Sequence, residues 1–445
     1  MFGFHLKMAM TSIRKTPWIT LLCIAGIGLG VTVSTSLTAL HYLSSKDPIP
    51  HKSDNIFNVR LDTWDPNTQF FDVAPGEPPK ATTYRDMAAL MASDIPVRET
   101  GVASARAYIF PQDEVNKPYQ TLVRLCHADF FPMFEMPFKY GTGWRRTDDV
   151  NREAVTVLSE AANDKLFGGQ DSVGKSVRIG TRIFRIVGVL DRYDATPMVY
   201  DPENNRTGPP REFFVPFDNV READIGMRLS GNTDGWGNAN TFIGDLVFTT
   251  AEFYWIQHWV ELKPQDVASY RDYVDQYALA QKELGRHPRP LNNRVQPMME
   301  WVANRHGSMN GVTRGMSVIS LLFLAVCAIN LMGLLLGKFL SRSSLIGIHR
   351  ALGASRGSVF MQHILECELL GVVGGLIGIL LSTVSIQGIA QLSPNVSAET
   401  AAQAFQLDAT MVLFSIGLSL AAGLVAGLYP AWRACRVSPA LQLKV

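Results

Sequence analysis

A surplus of either charge is missing from this sequence: 41 Lys and Arg stand against 40 Asp and Glu, a formal net charge of +1. No overall basic field is therefore available for binding nucleic acid. Cysteine is scarce as well, five in 445 residues, and four of them, Cys23, Cys327, Cys367 and Cys435, fall in or near long apolar runs. Cys126 alone lies in the polar middle of the chain, which excludes an internal disulfide there and leaves that region to stand on its core. The nine histidines form no H-E-x-x-H motif, and Cys126-His127 is a single pair without further metal-ligand spacing. No nucleophile and base are set at a readable spacing. Obvious repeats and low-complexity tracts are absent too.

What is present is a mosaic. A mean hydropathy of only +0.07 conceals four uncharged apolar stretches, 18–40, 315–337, 369–390 and 409–432. Each is long enough to cross a bilayer core about 30 Å thick as a helix. Lys7, Arg14 and Lys15 precede the first, as in a secretory signal, but its apolar run exceeds the roughly 7–15 residues of a signal core, so it reads as an uncleaved anchor.

Orientation follows from the basic residues, because short Lys- and Arg-rich flanks stay cytoplasmic. Residues 1–17 carry Lys7, Arg14 and Lys15; residues 338–358 carry Lys338, Arg342, Arg350 and Arg356; the tail carries Arg433, Arg436 and Lys444. None of these segments holds an acidic residue, whereas 391–408 holds Glu399 and Asp408 and no base. Both termini are expected in the cytoplasm, with the mildly acidic segment 44–314 outside. The expected order is a cytoplasmic amphipathic segment 1–17, spans 18–43, 315–339, 363–390 and 409–432, a cytoplasmic loop 340–362, an outer loop 391–408 and a tail 433–445. Each span also carries glycines four apart, Gly26/Gly30, Gly333/Gly337, Gly371/Gly375 with Gly374/Gly378, and Gly423/Gly427, a spacing that lets helices approach closely. Packing within one bundle is the expected use.

The outer segment alternates strand and helix signals, an α+β pattern. Strands are expected at 55–61, 101–110 and 154–159, helices at 82–92, 160–167 and 264–285, and a hairpin over 176–190 turning at Gly180-Thr181. The Pro-, Asn- and Arg-rich 201–210 and the Gly- and Asn-rich 231–240 read as exposed loops. Asn205-Arg206-Thr207 and Asn395-Val396-Ser397 fit the glycosylation sequon, a motif short enough to arise by chance.

The order of several motifs resembles a known family. Ala128-Asp129-Phe130-Phe131 and Gly141, then Leu166-Phe167-Gly168, Val173-Gly174-Lys175 and Phe184-Arg185-Ile186-Val187-Gly188-Val189-Leu190, are similar to the MacB-type periplasmic core domain. Ile346-Gly347-Ile348-His349-Arg350-Ala351-Leu352-Gly353-Ala354-Ser355, continuing through Arg356 to Glu366, resembles the FtsX signature after the second span. Gly427-Leu428-Tyr429-Pro430-Ala431-Trp432-Arg433-Ala434, with Ser438-Pro439 and Leu441, is similar to the same family's C-terminal motif. The resemblance implies a permease of the MacB/FtsX type, with four transmembrane α-helices. Between the first two it implies a large α+β extracytoplasmic domain, a porter-like ferredoxin-type part assembled from both flanks plus a β-rich insert at about 111–222. It implies a bacterial inner-membrane location and a basic coupling helix, 345–360, broken at Gly353. Arg350, Ala351, Leu352, Gly353, Ala354, Ser355 and Arg356 would couple to cytoplasmic ABC ATPase subunits, and Glu366, Gly427, Tyr429, Pro430 and Ala431 are the family-motif positions in the membrane. Two departures are Leu345, where the family often has Glu, and His349, where Arg is common.

The implied activity is that of a non-catalytic subunit of a type VII ABC transporter, which turns ATP hydrolysis into motion of the outer domain and so exports periplasmic peptides, toxins or drugs. No cofactor is expected in this chain; ATP and magnesium would be bound by the partner. A second permease copy, identical or homologous, an adaptor with an outer-membrane channel, and the lipid bilayer are the other implied partners. Lipoprotein release of the LolC/LolE kind shares this layout. A membrane-anchored periplasmic enzyme or sensor would need neither cytoplasmic motif. Glu366 and Glu368 open the third span, where solvation or a salt bridge to a neighbouring Arg is a simpler expectation than proton transport. The string Gly169-Gln170-Asp171-Ser172-Val173-Gly174-Lys175-Ser176 matches the P-loop expression, yet a helix is expected before it and a strand after it, the reverse of a phosphate cradle.

Overall fold

The computed structural model describes residues 2–45, 47–68, 76–111, 117–193, 198–201, 210–221, 226–230, 234–235, 252–305, 307–341, 346–348, 350, 352–392 and 409–436. The chain divides into a membrane unit, Met1–Ser45 with His306–Val445, and an outer unit, Lys46–Arg305.

In the membrane unit the apolar runs become four helices, Pro17–Ser45, Gly307–Leu340, Arg356–Leu392 and Ala409–Cys435, called here the first to fourth spans. All four are long and apolar enough to cross a membrane. A separate helix, Phe2–Lys15, precedes the first. The third span begins at Arg356, seven residues before the expected boundary, because the Ser355 hydroxyl accepts from the Ser358 amide at 3.1 Å and caps the helix there.

Small residues set the packing. A methyl group on Gly374 would sit 2.9 Å from Ile27, and one on Gly378 2.9 Å from the Gly28 carbonyl, so the first and third spans cross almost backbone to backbone. Gly371, Gly375, Gly423 and Gly427 do the same for the third and fourth, with Gly375 only 2.4 Å by that measure from the Ser419 hydroxyl. These glycines serve the interior of one bundle, as expected. Gly26, Gly333 and Gly337 face open space. The first span is also the polar hub: Thr32 donates to the Gly378 carbonyl at 3.2 Å, Ser34 to the Ser320 carbonyl at 3.1 Å, and Thr35 shares a 2.9 Å bond with Ser415. Within four residues it is thereby tied to each of the other three spans.

The outer unit is built on β1 (Ile56–Arg60), β2 (Arg98–Phe110), β3 (Tyr119–Cys126), β4 (Phe138–Gly141), β5 (Val155–Leu158), β6 (Ser176–Ile179), β7 (Arg182–Leu190), β8 (Phe213–Pro216), β9 (Met227–Ser230), β10 (Asp234–Gly235), β11 (Phe253–Tyr254), β12 (Gln257–Glu261) and β13 (Arg294–Pro297). The order β13-β1-β12-β2 is entirely antiparallel, with the helix Tyr84–Leu90 between β1 and β2 and the helix Val267–Glu283 between β12 and β13. This is the β-α-β-β-α-β arrangement of a ferredoxin-like fold, drawn from both flanks of the unit. Phe57, Val59, Val260 and Val295 pack against Leu90, Tyr270, Val274 and Ala278 of the two helices. On the other face, Ile56 and Trp259 join Met298, Trp301 and Val302 of the helix Met298–Arg305.

Between β2 and β12 the chain makes a β-rich excursion. The strands run β2-β3-β8-β5-β7, and β6 pairs with both β7 and β2, so six strands close into a ring. Val123, Leu125, Ile179, Phe184, Ile186, Phe213 and Val215 share the core of this part. The 13 residues of β2 make it possible, because one edge pairs in turn with β12, β9 and β6. The excursion thus passes the expected end near 222, since β9 and β11 also precede β12. The hairpin over β6 and β7 and the helix Glu160–Phe167 match the sequence expectation. The loop expectations at 201–210 and 231–240 fall mostly outside the described residues, but Asp201 is buried.

Candidate coupling site and buried charge cluster

The segment joining the second and third spans is a turn clasped to the end of the fourth. Leu352 and Gly353 close a helical turn through bonds from their amides to the Ile348 and Arg350 carbonyls, at 3.0 and 3.1 Å. Gly353 then adopts φ +100°, a backbone conformation that residues with a side chain rarely reach. The expected helix 345–360 is therefore two pieces: a short turn before Gly353, and after it the foot of the 37-residue third span. Leu345, His349 and Ala351 lie outside the described residues, as do Ser438, Pro439 and Leu441.

Three contacts hold the turn. Arg350 Nη1 donates to the Cys435 carbonyl at 3.3 Å, and Cys435 Sγ donates to the Arg356 carbonyl at 3.5 Å. Ile346 and Val359 share an apolar cluster with Ala434 and Cys435, against which Ala354 and Phe360 pack. Leu352 is left 81% exposed at the tip. A leucine on a glycine turn, braced from both sides, is a firm apolar knob suited to a groove on another protein.

Glu366 is buried ten residues along the same helix. Its Oε1 accepts from Lys338 Nζ of the second span at 2.5 Å and from Ser12 Oγ of the first helix at 2.8 Å. Lys338 also reaches Thr20 of the first span at 3.5 Å. The expectation of a salt bridge is met with a lysine in place of an arginine. Removing Glu366 would strand the Lys338 ammonium, and the arrangement ties four elements together at one point. Gly427 of the fourth span lies over Cys367, whose sulfur a methyl group there would meet at 2.6 Å. Pro430 and Ala431 are buried and Tyr429 is exposed. Coupling and membrane motifs thus share one end of the bundle. Sequence reasoning missed Lys338, Ser12, His363 and Cys435 as members; Lys338 closed an apolar run and read only as a topology signal.

In the outer unit the P-loop string is a tight connection between the helix Glu160–Phe167 and β6. Its amides are spent internally: Val173 donates to Asp171 Oδ1, Gly174 to the Ile186 carbonyl and Lys175 to the Ser172 carbonyl, all within 3.0 Å. The Lys175 ammonium lies 5.1 Å from the Phe167 ring centre. A helix runs into the string and a strand leaves it, so it does not open a helix N-terminus. Cys126, expected as the outer thiol, is wholly buried in β3, and burial pushes its thiol well up. His127 is half-buried; desolvation lowers it to about 4, while its Nδ1 accepts from the Gly101 amide at 3.0 Å.

A family model described as the MacB-like periplasmic core domain matches residues 20–275, and one described as the FtsX-like permease C-terminal matches 317–439. The chain is 25% identical over 345 residues to the macrolide export ATP-binding/permease protein MacB of Syntrophobacter fumaroxidans, covering 71% of this chain and 46% of that protein. To MacB of Marinobacter nauticus it is 22% identical, covering 98% and 59%. To the pyoverdine export ATP-binding/permease protein PvdT of Pseudomonas syringae pv. syringae it is 27% identical, covering 70% and 41%. The chain therefore spans about half the length of the curated relatives it matches.

Proposed function

Because this chain belongs to the MacB/FtsX family of ABC-transporter permeases, we propose that it is the membrane subunit of a MacB-like, type VII exporter. ATP, with magnesium, is bound and hydrolysed by a cytoplasmic ABC ATPase partner, and this chain carries the resulting movement to its outer unit. Both termini lie in the cytoplasm of an inner-membrane protein and the outer unit in the periplasm, a reading that the basic flanks support. Two permease copies, identical or homologous, form the working pair, and an adaptor with an outer-membrane channel completes the route for peptides, toxins or small molecules leaving the periplasm.

One observation carries this reading: the turn that presents Leu352 and Gly353 is tied to the fourth span on both sides, through Arg350 and Arg356, and is continuous with the third. A push on that knob moves a helix foot rather than a slack loop. The test is to purify the full chain in mild detergent with whatever binds it. An ATP-binding subunit should co-purify and its hydrolysis should rise on reconstitution with the chain. Recovery of the chain alone, or hydrolysis indifferent to it, would overturn the proposal.

A further inference from the structure

The two oxygens of Glu366 have unlike surroundings. Oε1 is held by Lys338 and Ser12, while Oε2 is buried without a hydrogen-bond partner among the described residues. Opposite Oε2, at 3.7 Å, stands Nδ1 of His363, three residues earlier on the same helix. That distance is beyond a hydrogen bond. The imidazole is 8% exposed and lies against the Phe339 ring, centroids 4.0 Å apart. Neither of its nitrogens has a hydrogen-bond partner among the described residues. Burying polar atoms in this way is costly, and packing against Phe339 asks only for an apolar side chain.

The elements involved suggest what the imidazole is for. Lys338 comes from the second span; Glu366 and His363 both come from the third. Any sliding of the second span past the third draws Lys338 away and strands a carboxylate inside the membrane unit. His363 cannot be drawn away, because residues three apart on one helix stay neighbours. Among the described residues the other groups gathered here are the hydroxyls of Ser12 and Thr20, the thiols of Cys23 and Cys367, and the carboxylate of Glu368, none of which can supply a cation.

We propose that His363 is a positioning residue, a reserve cation that pairs with Glu366 when Lys338 withdraws, so that the second and third spans can change register without leaving a lone buried charge. The ring closes the 3.7 Å gap and takes up one proton from water as it does so. Its purpose rests on the coupling reading above, but the exchange itself is a property of this chain and can be tested without any ATPase.

The test is a double-mutant cycle on the thermal unfolding of the full chain in lipid nanodiscs. With Lys338→Met alone, His363 takes the carboxylate and the midpoint falls only slightly; His363→Phe alone leaves it near that of the wild type. Together they should lower it by roughly 5 °C more than the sum of the single changes. His363→Gln, polar but never cationic, should behave like the Phe variant, and adding Glu366→Gln to the double variant should restore the loss. An additive cycle, or a Gln variant that protects as His does, overturns the proposal. Failure of the coupling reading would instead appear as an ATPase indifferent to a chain whose cycle is non-additive.

Discussion

Arg124 and Asp201 form an ion pair inside the outer unit, their side chains 2% and 1% exposed. The guanidinium lies 5.3 Å from the centre of the Tyr200 ring, and Arg211 reaches the same carboxylate oxygen at 3.3 Å. The pair pins the short piece 198–201 and the start of β8 to the middle of β3. Substituting Arg124→Met leaves Asp201 with one partner fewer in a dry setting and should cost about 3–5 kcal/mol. Chemical denaturation of the full chain in detergent checks this. A loss below about 1 kcal/mol would mean that Arg211 alone suffices.

Asp149 should give the outer unit an unusual pH dependence. Burial pushes its carboxyl up to about 7, although the Ala128 amide and Trp144 Nε1 donate to it at 2.7 and 2.8 Å. An acid that is weaker in the fold than in the unfolded chain stabilises while protonated, so its contribution falls as pH rises from about 4 to about 7 and is then constant. At about 1.4 kcal/mol per pH unit the change is on the order of 4 kcal/mol. Asp149→Asn should flatten that window. Asp86 works in the opposite sense: burial would raise it, but His287, Arg286 and Thr83 hold it at about 2. Its contribution is present above about 4 and is lost as pH falls toward 2, so Asp86→Asn should remove stability at neutral pH and leave the acid limb less steep.

Glycines that look alike in sequence should differ sharply on substitution. Gly427→Leu drives atoms into Cys367 and should cost more than about 1–3 kcal/mol. Gly333→Ala meets nothing within 4 Å and, in a helix interior, should be neutral or stabilising by up to about 1 kcal/mol. Thermal unfolding in nanodiscs ranks the two, and equal losses would contradict the crossings described.

The coupling turn and the P-loop string make a contrasting pair. Gly353→Pro cannot keep φ +100° and should abolish stimulation of the partner ATPase in a chain that still inserts normally. Lys175→Ala, on an exposed connection, should change stability by no more than about 0.5 kcal/mol and leave hydrolysis intact. Stimulation that survives the first change removes the turn from the coupling path. Hydrolysis lost with the second would restore a nucleotide role to that string.

Local chemistry was legible in the sequence where it decides structure alone. The spans followed from apolar length, the hairpin turn from Gly180-Thr181, and the helix-then-strand order around the P-loop string from its flanking patterns. Pairings made across long stretches were not legible. Nothing in the spacing of Lys338 and Glu366 says that they meet, and His363 reads as an ordinary residue of a helix opening. The extent of the excursion from the sheet was underestimated for a related reason: β9 is only four residues long, and its pairing with the long β2 is what identifies it as a strand. A helix start was misplaced because Gly353 was taken as an interruption, whereas the cap at Ser355 begins a new and much longer helix.

The topology of the outer unit also sets an order of events during synthesis. β1 is made first, yet both of its neighbours come from the far end: Phe57 lies opposite Val260 on one side and Pro297 on the other. Ribosomes add about 5–20 residues per second, so β1 waits some 10–40 s for partners that emerge roughly 200 residues later. During that interval it is a bare strand with Ile56, Phe57 and Val59 uncovered and two unpaired edges, while the ring of strands that follows can already close on itself. The nascent chain must therefore be shielded just outside the membrane, and slowing its elongation should trap species in which the ring is complete and the ferredoxin-like half is still open.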